Sequence, residues 1–463
     1  MVKEKNNLFI FRRDLRLIDN KGLLQVSQLK NDIIPIFIFT PEQISSLNKY
    51  RSNNSILFMI ECLEELEKEI KKRNGKLLFF YGNNSDVLHE IVKNYDLDVV
   101  IYNKDYTPYA KKRDSEIEDI CRIHNINVAS VCDYYLNTIG IIKTNEDKTY
   151  TKFTPYLNKA NKLPVSKPVE KLDLVFKNIN KKLNFQVTLE DIKSEFTNPN
   201  PYRIFMGGRE NGLIKLKKSK YQKEYNSTRN DLFKETTQLS AYIKFGCVSI
   251  REVYYYFLKH LGKSNDLIKQ LYWRDFYMEI INAYPYVLGN ALKPHYDKIK
   301  WINNKEWIKK WKDGKTGFPV VDACMRQMNK EGYMPNRGRL IVSSFLIKIL
   351  LTDWRIGEKY FAIRLTDYDP ANNNGGWQWS AGSGADSQQY NRIFNPWIQS
   401  EKHDPYCVYI KTYVPELMDL EPKIIHNWNI YYKHHKNIKY PAPIVDYKEQ
   451  KEIALKMYSN IYT

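Results

Sequence analysis

The sequence lacks most of the features that mark secreted, membrane-spanning and metal-stabilised proteins. It has only six cysteines in 463 residues, and no two of them form a C-x-x-C pair. No apolar run reaches the roughly 18 residues that suggest a membrane-spanning helix. The charged start, MVKEKNNLFIFRRDLRL, is unlike a signal peptide. We therefore expect a globular, intracellular protein that is not secreted and has no disulfide framework, metal site or membrane segment.

Acidic residues are also fewer than basic residues. The chain has 53 Asp and Glu against 72 Lys and Arg, which gives a formal charge of +19. A surplus of this size suits a polyanionic partner, and nucleic acid fits better than a membrane surface. The signatures H-E-x-x-H, G-x-x-x-x-G-K-[ST] and G-x-S-x-G are missing. Their absence argues against zinc hydrolases, P-loop nucleotidases and serine hydrolases.

Short apolar runs alternate with helical patterns in residues 1–132. Near-continuous apolar strands joined by helices are typical of a parallel, doubly wound α/β sheet. No G-x-G-x-x-G follows the first run, so the usual dinucleotide-binding fingerprint is missing. We predict strands in NLFIF, IIPIFIF, KLLFFYG, DVVIYN and NVASVC.

The pattern changes after residue 132. Residues 133–200 are rich in Lys, Asn, Thr and Pro, which predicts an interdomain connection. Residues 201–463 show helical periodicity, which predicts a mostly α domain. The stretch DYDPANNNGGWQW, residues 367–379, stands apart because its acids, asparagines and glycines are poor material for a core helix or a buried strand.

The helical region concentrates Trp, Asn and Arg in a few segments. Aromatic planes beside guanidinium and amide groups suit a planar, anionic, heteroaromatic ligand, and both flavins and nucleotide bases qualify. Together with an Arg-rich segment near the start, these segments resemble the DNA photolyase/cryptochrome family, most closely its class I cyclobutane pyrimidine dimer photolyases. The matching segments are FRRDLRLIDN, YWRDFY, GKTGFPVVDACMRQM, NRGRLIVSSFLIK, DWRIGEKYF and NNGGWQWSAGSGADSQQYNRIFNP.

The resemblance implies a fold, an activity and a partner. It implies an α/β antenna domain (1–132), a connection (133–200) and an all-helical FAD-binding domain (201–463). The implied enzyme is a deoxyribodipyrimidine photo-lyase, which splits cyclobutane pyrimidine dimers in UV-damaged DNA by electron transfer from photoexcited, fully reduced FAD (FADH⁻). We expect a monomer, located in the cytoplasm or nucleus, wherever the DNA is.

The residues that hold FAD in the family carry over position by position. Arg339 and Asp367 match an ion pair beside the isoalloxazine ring. Asp369 matches a carboxylate near the ring's edge, and Asn373 matches an amide that faces flavin N5, where a neutral acceptor suits a reduced anion better than a carboxylate does. The positions that match contacts to the phosphates and ribityl chain are Tyr225, Thr236, Thr237, Leu239 and Ser240.

The resemblance also assigns tryptophans and DNA contacts. Trp301, Trp354 and Trp377 match the chain that passes electrons to photoexcited, oxidised flavin. Trp273 and Trp379 match the aromatic walls of the lesion pocket, which stack on bases that have left the duplex. Polar groups at the pocket rim and contacts to the DNA backbone are matched by Asn336, Arg337, Arg229 and Arg392.

Two pocket positions depart from the pattern of dimer photolyases. Gln270 stands where that class generally has Glu, and Leu340 stands where it has Met. Gln can still donate to a carbonyl and accept from an N–H, but it cannot supply a proton as an acid. Gln270 also resembles (6-4) photolyases, which keeps that activity as an alternative. That branch relies on histidines, however, and GYMPNRGRL, residues 332–340, contains none.

Two other functions remain as alternatives: a cryptochrome-type blue-light photoreceptor without repair activity, and a nucleic-acid-binding flavoprotein without photochemistry. The retained pocket aromatics and the basic charge favour repair. A second, antenna chromophore is also expected in this family. Tyr109 and Ala110 stand where folate-binding members carry Asn and Glu. The folate site is therefore altered, and a deazaflavin, a flavin or no antenna all remain open.

Overall fold

The computed structural model describes residues 5–461. Its first region is built on one sheet, whose strands are β1 (Asn6–Phe11), β2 (Ile33–Phe39), β3 (Leu78–Tyr81), β4 (Leu97–Asn103), β5 (Asn127–Val131) and β6 (Gln186–Val187). The strand order is β5-β4-β1-β2-β3-β6. β1 to β5 pair in parallel, and β6 joins β3 antiparallel. The predicted doubly wound parallel sheet is confirmed, and its five predicted strands correspond to β1 to β5.

Helices connect the parallel strands. They are α1 (Lys21–Val26), α2 (Pro41–Ile44), α3 (Asn53–Lys71), α4 (Asn84–Asn94) and α5 (Pro108–Ile123). β1 pairs with β2 on one side and β4 on the other, so the direction of winding reverses at β1. The carboxyl ends of strands at such a switch point open a crevice in which ligands commonly bind. In this chain Arg12 and Arg13 follow β1 into that crevice.

The segment that follows packs along the sheet. Residues 133–200 contain α6 (Phe153–Ala160), β6 and α7 (Leu189–Phe196). The side chains of Leu172, Leu174 and Phe176 are buried, and Phe176 forms a bridge with Ile33 of β2. These contacts tie the segment to the parallel sheet. β6 has only two residues, too few for an alternating pattern to reveal it in the sequence.

The remaining chain is helical, as predicted. Its helices are α8 (Arg209–Lys218), α9 (Tyr225–Thr228), α10 (Ser240–Lys244), α11 (Ile250–Leu261), α12 (Asp266–Ala283), α13 (Lys305–Asp313), α14 (Pro319–Glu331), α15 (Asn336–Lys348), α16 (Trp354–Arg364), α17 (Pro370–Ala381), α18 (Pro396–His403), α19 (Val408–Tyr413), α20 (Pro422–His426), α21 (Trp428–Tyr431) and α22 (Tyr447–Ser459). Short 3₁₀ turns lie between several of them. No helix within residues 5–461 is both long and apolar enough to cross a membrane.

The stretch at 367–379 is helical, so the expectation from its composition was wrong. Most of it belongs to α17. Asp369 caps this helix by accepting hydrogen bonds from the amides of Ala371 and Asn372, both at 3.1 Å. A Cβ atom on Gly375 would lie 2.1 Å from the ring of Tyr277 on α12. Capping and close helix packing therefore outweigh the poor helix propensity of this stretch.

A buried ion network joins the α/β region, residues 5–132, to the helical region. Asp133 lies 2.5 Å from Arg16 and 2.6 Å from Arg251, and Arg251 lies 2.9 Å from Asp19. All four side chains are almost fully buried. Burial would raise the pKa of Asp133, but the two guanidinium groups lower it. Losing one partner would leave a buried charge unpaired, so the network fixes how the two regions meet.

Candidate functional site

Two adjoining cavities lie among α10, α12, α15 and α17. The inner cavity has a volume of about 290 Å³ and the outer cavity about 440 Å³. Their combined size falls in the usual range of small-molecule sites, roughly 300–1,000 Å³. The residues that line both are Tyr225, Thr236, Gln270, Asn336, Arg339, Asp367, Asp369 and Asn372.

The predicted site residues gather around these cavities, although they are spread over more than 150 positions of the chain. Trp301, Trp354 and Arg392 line neither cavity. The predicted residues that line only the inner cavity are Thr237, Leu239 and Ser240. Those that line only the outer cavity are Arg229, Trp273, Arg337, Leu340, Asn373, Trp377 and Trp379.

An ion pair stands where the cavities meet. The guanidinium Nη2 of Arg339, on α15, donates to Asp367 Oδ1 at 3.0 Å and Oδ2 at 2.9 Å. Its Nε donates to the backbone oxygen of Met334 at 2.9 Å. The hydroxyl of Ser240, the first residue of α10, donates to Asp367 Oδ2 at 2.6 Å. Arg339 and Asp367 are therefore held rigidly against both cavities.

Asp369 connects the site to the α/β region. Its Oδ2 accepts from Arg13 Nη2 at 2.8 Å, and Arg13 also pairs with Asp105 at 3.2 Å. Burial alone would raise the pKa of Asp369, but Arg13, Arg274 and the first amides of α17 lower it to about 2. The carboxylate is thus ionised at neutral pH. The sequence resemblance included Arg13 in a motif without a role, and the pair joins residues 356 positions apart.

The amide of Asn373 is oriented by the helix behind it. Its Nδ2 donates to the backbone oxygen of Glu358 on α16 at 2.9 Å, which leaves the carbonyl oxygen for the outer cavity. The Glu358 carboxyl accepts from Asn374 Nδ2 at 3.3 Å. Burial raises the pKa of Glu358 to about 7, so this carboxyl is largely neutral in mildly acidic solution. Neither Glu358 nor its position behind Asn373 was evident from the sequence.

The aromatic wall at Trp273 is supported from outside the helical region. Trp273, Gln270 and Tyr277 lie on one face of α12 and all line the outer cavity. The ring of Phe153, on α6, stacks on Trp273 with centroids 3.7 Å apart and planes 10° apart. Trp379, on α17, lines the same cavity. A segment predicted to be only a connection therefore fixes the orientation of Trp273.

Positive charge collects at the outer cavity's rim. Arg337 donates to Asn230 Oδ1 at 2.7 Å, and Arg229 lies 3.2 Å from Asp266. Burial lowers the pKa of Arg337, and the charges of Arg229 and Arg392 lower it further. Arg337 is therefore near enough to both other guanidinium groups to be repelled by them, an arrangement that a polyanion relieves.

Trp377 lies in a group of aromatic rings. It is buried, with the ring centroid of Phe361 at 4.9 Å and that of Trp311 at 6.2 Å. Among residues 5–461 its indole N–H has no hydrogen-bond partner. Trp354, at the start of α16, is also buried, whereas Trp301 is half-buried and meets Tyr458 edge-on at 6.2 Å. Two of these three tryptophans are therefore buried, and the third is half-buried.

A third cavity, about 540 Å³ in volume, lies at the carboxyl edge of the sheet. We call it the sheet-edge cavity; Arg12, Tyr50 and Tyr109 are among its lining residues. Tyr109 OH lies 2.9 Å from Thr40 Oγ1. Lys244 lines both this cavity and the inner cavity, and Tyr368 lines both this cavity and the outer one. The sheet-edge cavity therefore adjoins the inner cavity at Lys244 and the outer cavity at Tyr368.

Comparison with known families agrees with this geometry. The profile of the FAD-binding domain of DNA photolyase matches residues 267–460, and the DNA photolyase profile matches residues 7–173. A Halobacterium salinarum protein named deoxyribodipyrimidine photo-lyase is 32% identical, over 97% of this chain and 98% of its own length.

The chain belongs to the DNA photolyase family. The predicted enzyme class, a photolyase, and the predicted cofactor, FAD, are confirmed by these matches.

Solved structures of the photolyase family share the whole fold. A Sulfolobus tokodaii photolyase with two FAD molecules is 36% identical with a TM-score of 0.88, and 98% of this chain and 100% of that chain are covered. A class III photolyase from Agrobacterium tumefaciens is 30% identical with a TM-score of 0.91, covering 100% and 98%. A Synechocystis cryptochrome is 26% identical with a TM-score of 0.88, covering 99% and 100%.

The residues around the two cavities fit FAD. Trp377, whose buried indole N–H has no hydrogen-bond partner within residues 5–461, lines the outer cavity. The Arg339–Asp367 pair offers a fixed cation, and hydroxyls at Thr236, Thr237 and Ser240 offer hydrogen bonds. This donor set suits an anionic cofactor with one planar, polar-edged end.

Proposed function

We propose that this photolyase repairs cyclobutane pyrimidine dimers in DNA, in a light-dependent reaction. The observation that carries the proposal is the outer cavity: Trp273 and Trp379 line it together with Gln270 and Leu340, and it adjoins the cavity that fits FAD. Pyrimidines that leave the stack lose base pairing and stacking energy, and aromatic walls restore part of it.

Each group has a separate task in this proposal. When bound, reduced FAD supplies upon light absorption the electron that splits the cyclobutane ring and takes it back afterwards, with no net redox change. With FAD bound, Arg339 would balance negative charge beside the ring, and the Asn373 carbonyl would accept a hydrogen bond from N5–H. Gln270 holds the lesion by donating to a carbonyl and accepting from an N–H. The residues proposed to supply electrons to oxidised FAD are Trp301, Trp354 and Trp377.

DNA binding is proposed to follow the positive rim. Arg229 and Arg337 line the outer cavity, and Arg392 lies near enough to Arg337 to affect its charge, so the three can pair with phosphates on either side of the lesion. These contacts carry no sequence information, which suits an enzyme that recognises damage rather than a base sequence. The formal charge of +19 supports the same partner.

The (6-4) photolyase alternative requires an acid near the lesion. No histidine is among the described residues that line the inner or outer cavity. The test is to incubate the reduced protein under blue light with two oligonucleotides, one containing a cyclobutane thymine dimer and one a (6-4) product, and to separate products by chromatography. We expect repair of the first alone. Repair of only the second would establish the alternative, and repair of neither would favour a photoreceptor or a binding protein.

The sheet-edge cavity supports a second chromophore. The Sulfolobus tokodaii photolyase, which is similar over the whole chain, is described with two FAD molecules and a light-harvesting role. We propose that this cavity takes a flavin or a deazaflavin, because Arg12, Arg13, Tyr50 and Tyr109 give it both cations and aromatic faces. Chromatography of the released chromophores tests this; a single FAD per chain from protein reconstituted with both compounds would contradict it.

A further inference from the structure

The chain between α17 and α18, residues 382–395, carries Arg392 on the surface. The side chain of Arg392 is exposed, and residues 387–395 form no helix or strand. An exposed arginine on such a segment is costly to hold in one place, because its backbone and side-chain freedom must both be lost on binding. If the segment is already fixed in the free protein, less entropy is lost on binding, and a contact from Arg392 contributes more to the affinity for DNA.

Lys348, the last residue of α15, contacts this segment from the protein interior. Its ammonium Nζ donates to the backbone oxygen of Tyr390 at 3.3 Å and to that of Arg392 at 3.0 Å. The side chain is fully buried, and within residues 5–461 no carboxylate lies within ion-pair distance of it. The ring of Tyr458 lies 5.7 Å from the ammonium.

A buried ammonium without a carboxylate is an expensive group to keep. Burial lowers the pKa of Lys348 to about 8, and the like charge of Arg392 acts in the same direction. An apolar side chain would fill the same space at less cost. What the ammonium adds is a pair of charge-assisted hydrogen bonds to two carbonyls of one surface segment. α15 also begins with Asn336 and Arg337 at the cavities, so the same helix supports the site and the segment.

We propose that Lys348 is a positioning residue for DNA binding: it clamps the backbone at Tyr390 and Arg392 so that the Arg392 guanidinium is presented beside the outer cavity. The proposal rests on the proposed function, in which Arg392 contacts DNA. The lysine itself touches neither DNA nor FAD.

The clamp can be tested without DNA. Trypsin cleaves after an exposed arginine when the backbone around it can unfold locally. In Lys348→Met and Lys348→Gln, cleavage after Arg392, followed by mass spectrometry, should be at least about fivefold faster than in the unaltered protein. Lys293→Met is the matched control, because Lys293 holds the other end of the segment, at Gly382 and Ser387. Its cleavage after Arg392 should be unchanged.

The melting temperature of each variant is measured as well. Lys348→Met should melt at or above the temperature of the unaltered protein, since it replaces a buried charge by an apolar chain of similar length. Unchanged cleavage after Arg392 in both Lys348 variants would overturn the clamp.

The purpose of the clamp is tested with lesion-bearing DNA. Arg392→Ala should weaken binding about three- to tenfold. It should also make the plot of log binding constant against log salt concentration less steep, by the amount expected for the loss of about one phosphate contact. Lys348→Met should weaken binding by a similar factor, and the double variant should bind no more weakly than either single one. Additive losses would overturn the proposal. If Arg392→Ala binds normally while Lys348→Met is cleaved faster, the DNA contact in the proposed function is wrong, and the positioning role is wrong with it.

Discussion

Phe153 gives the sharpest test of how the lesion pocket is built. Its ring lies 3.7 Å from that of Trp273 with planes 10° apart, so it covers one face of the wall on which a flipped base is proposed to stack. Phe153→Leu keeps an apolar side chain in a buried position but removes the stack. An aromatic pair is worth about 1 kcal/mol beyond the area it buries. If the stack stabilises the orientation of Trp273 that binds the lesion by this amount, its loss should reduce lesion affinity about fivefold.

The measurement is fluorescence anisotropy with two labelled oligonucleotides, one with a cyclobutane dimer and one undamaged. We expect Phe153→Leu to raise Kd for the damaged strand about fivefold, with FAD content and Kd for the undamaged strand unchanged. Phe79→Leu alters a buried aromatic on β3 that lines neither the inner nor the outer cavity; it is the matched control and should change neither Kd. Equal losses for both oligonucleotides, or no loss for either, would refute the role assigned to the stack.

Three further predictions concern the flavin site and the helix behind it. Asn373→Asp should speed reoxidation of bound, reduced FAD in air, because a carboxylate would face an anion; an unchanged rate would contradict the N5 assignment. Trp377→Phe should slow photoreduction of bound, oxidised FAD, whereas Trp428→Phe, which alters a buried tryptophan outside the cavities, should not. The pKa of Glu358 is raised to about 7 in the folded protein, whereas in the unfolded chain it is about 4.5. The folded state therefore keeps a proton that the unfolded chain releases, and the free energy of unfolding falls as the pH rises from about 4.5 to about 7. Glu358→Gln should remove that fall, about 3 kcal/mol at most, as measured by urea unfolding at pH 5 and pH 8.

The parallel sheet could be predicted because each strand is a short, nearly continuous apolar run. β2, Ile33–Phe39, is buried along its whole length, a pattern typical of a parallel sheet covered on both faces. β6 could not be predicted, since it has two residues and takes its pairing from β3. The helix α17 was missed because propensity describes an isolated helix, while the Asp369 cap and the Gly375 contact act only in the folded protein.

The candidate site divides in a similar way. Residues such as Arg339, Asp367 and Asn373 followed from the resemblance, and the structure places them at one pair of cavities. Their supporting partners did not follow. The Arg13–Asp369 pair and the Phe153–Trp273 stack join residues far apart in sequence, and neither side of such a contact carries a local pattern that indicates the other.

The most direct test of the central claim is the number of dimers that one protein molecule repairs. Reduced protein at about one-hundredth of the concentration of a dimer-containing oligonucleotide should, under blue light, restore nearly all of it to intact thymines, because the electron returns and no reductant is consumed. A parallel sample in the dark should bind the oligonucleotide and repair none. Repair that stops after one dimer per protein, or that proceeds equally in the dark, would contradict the account.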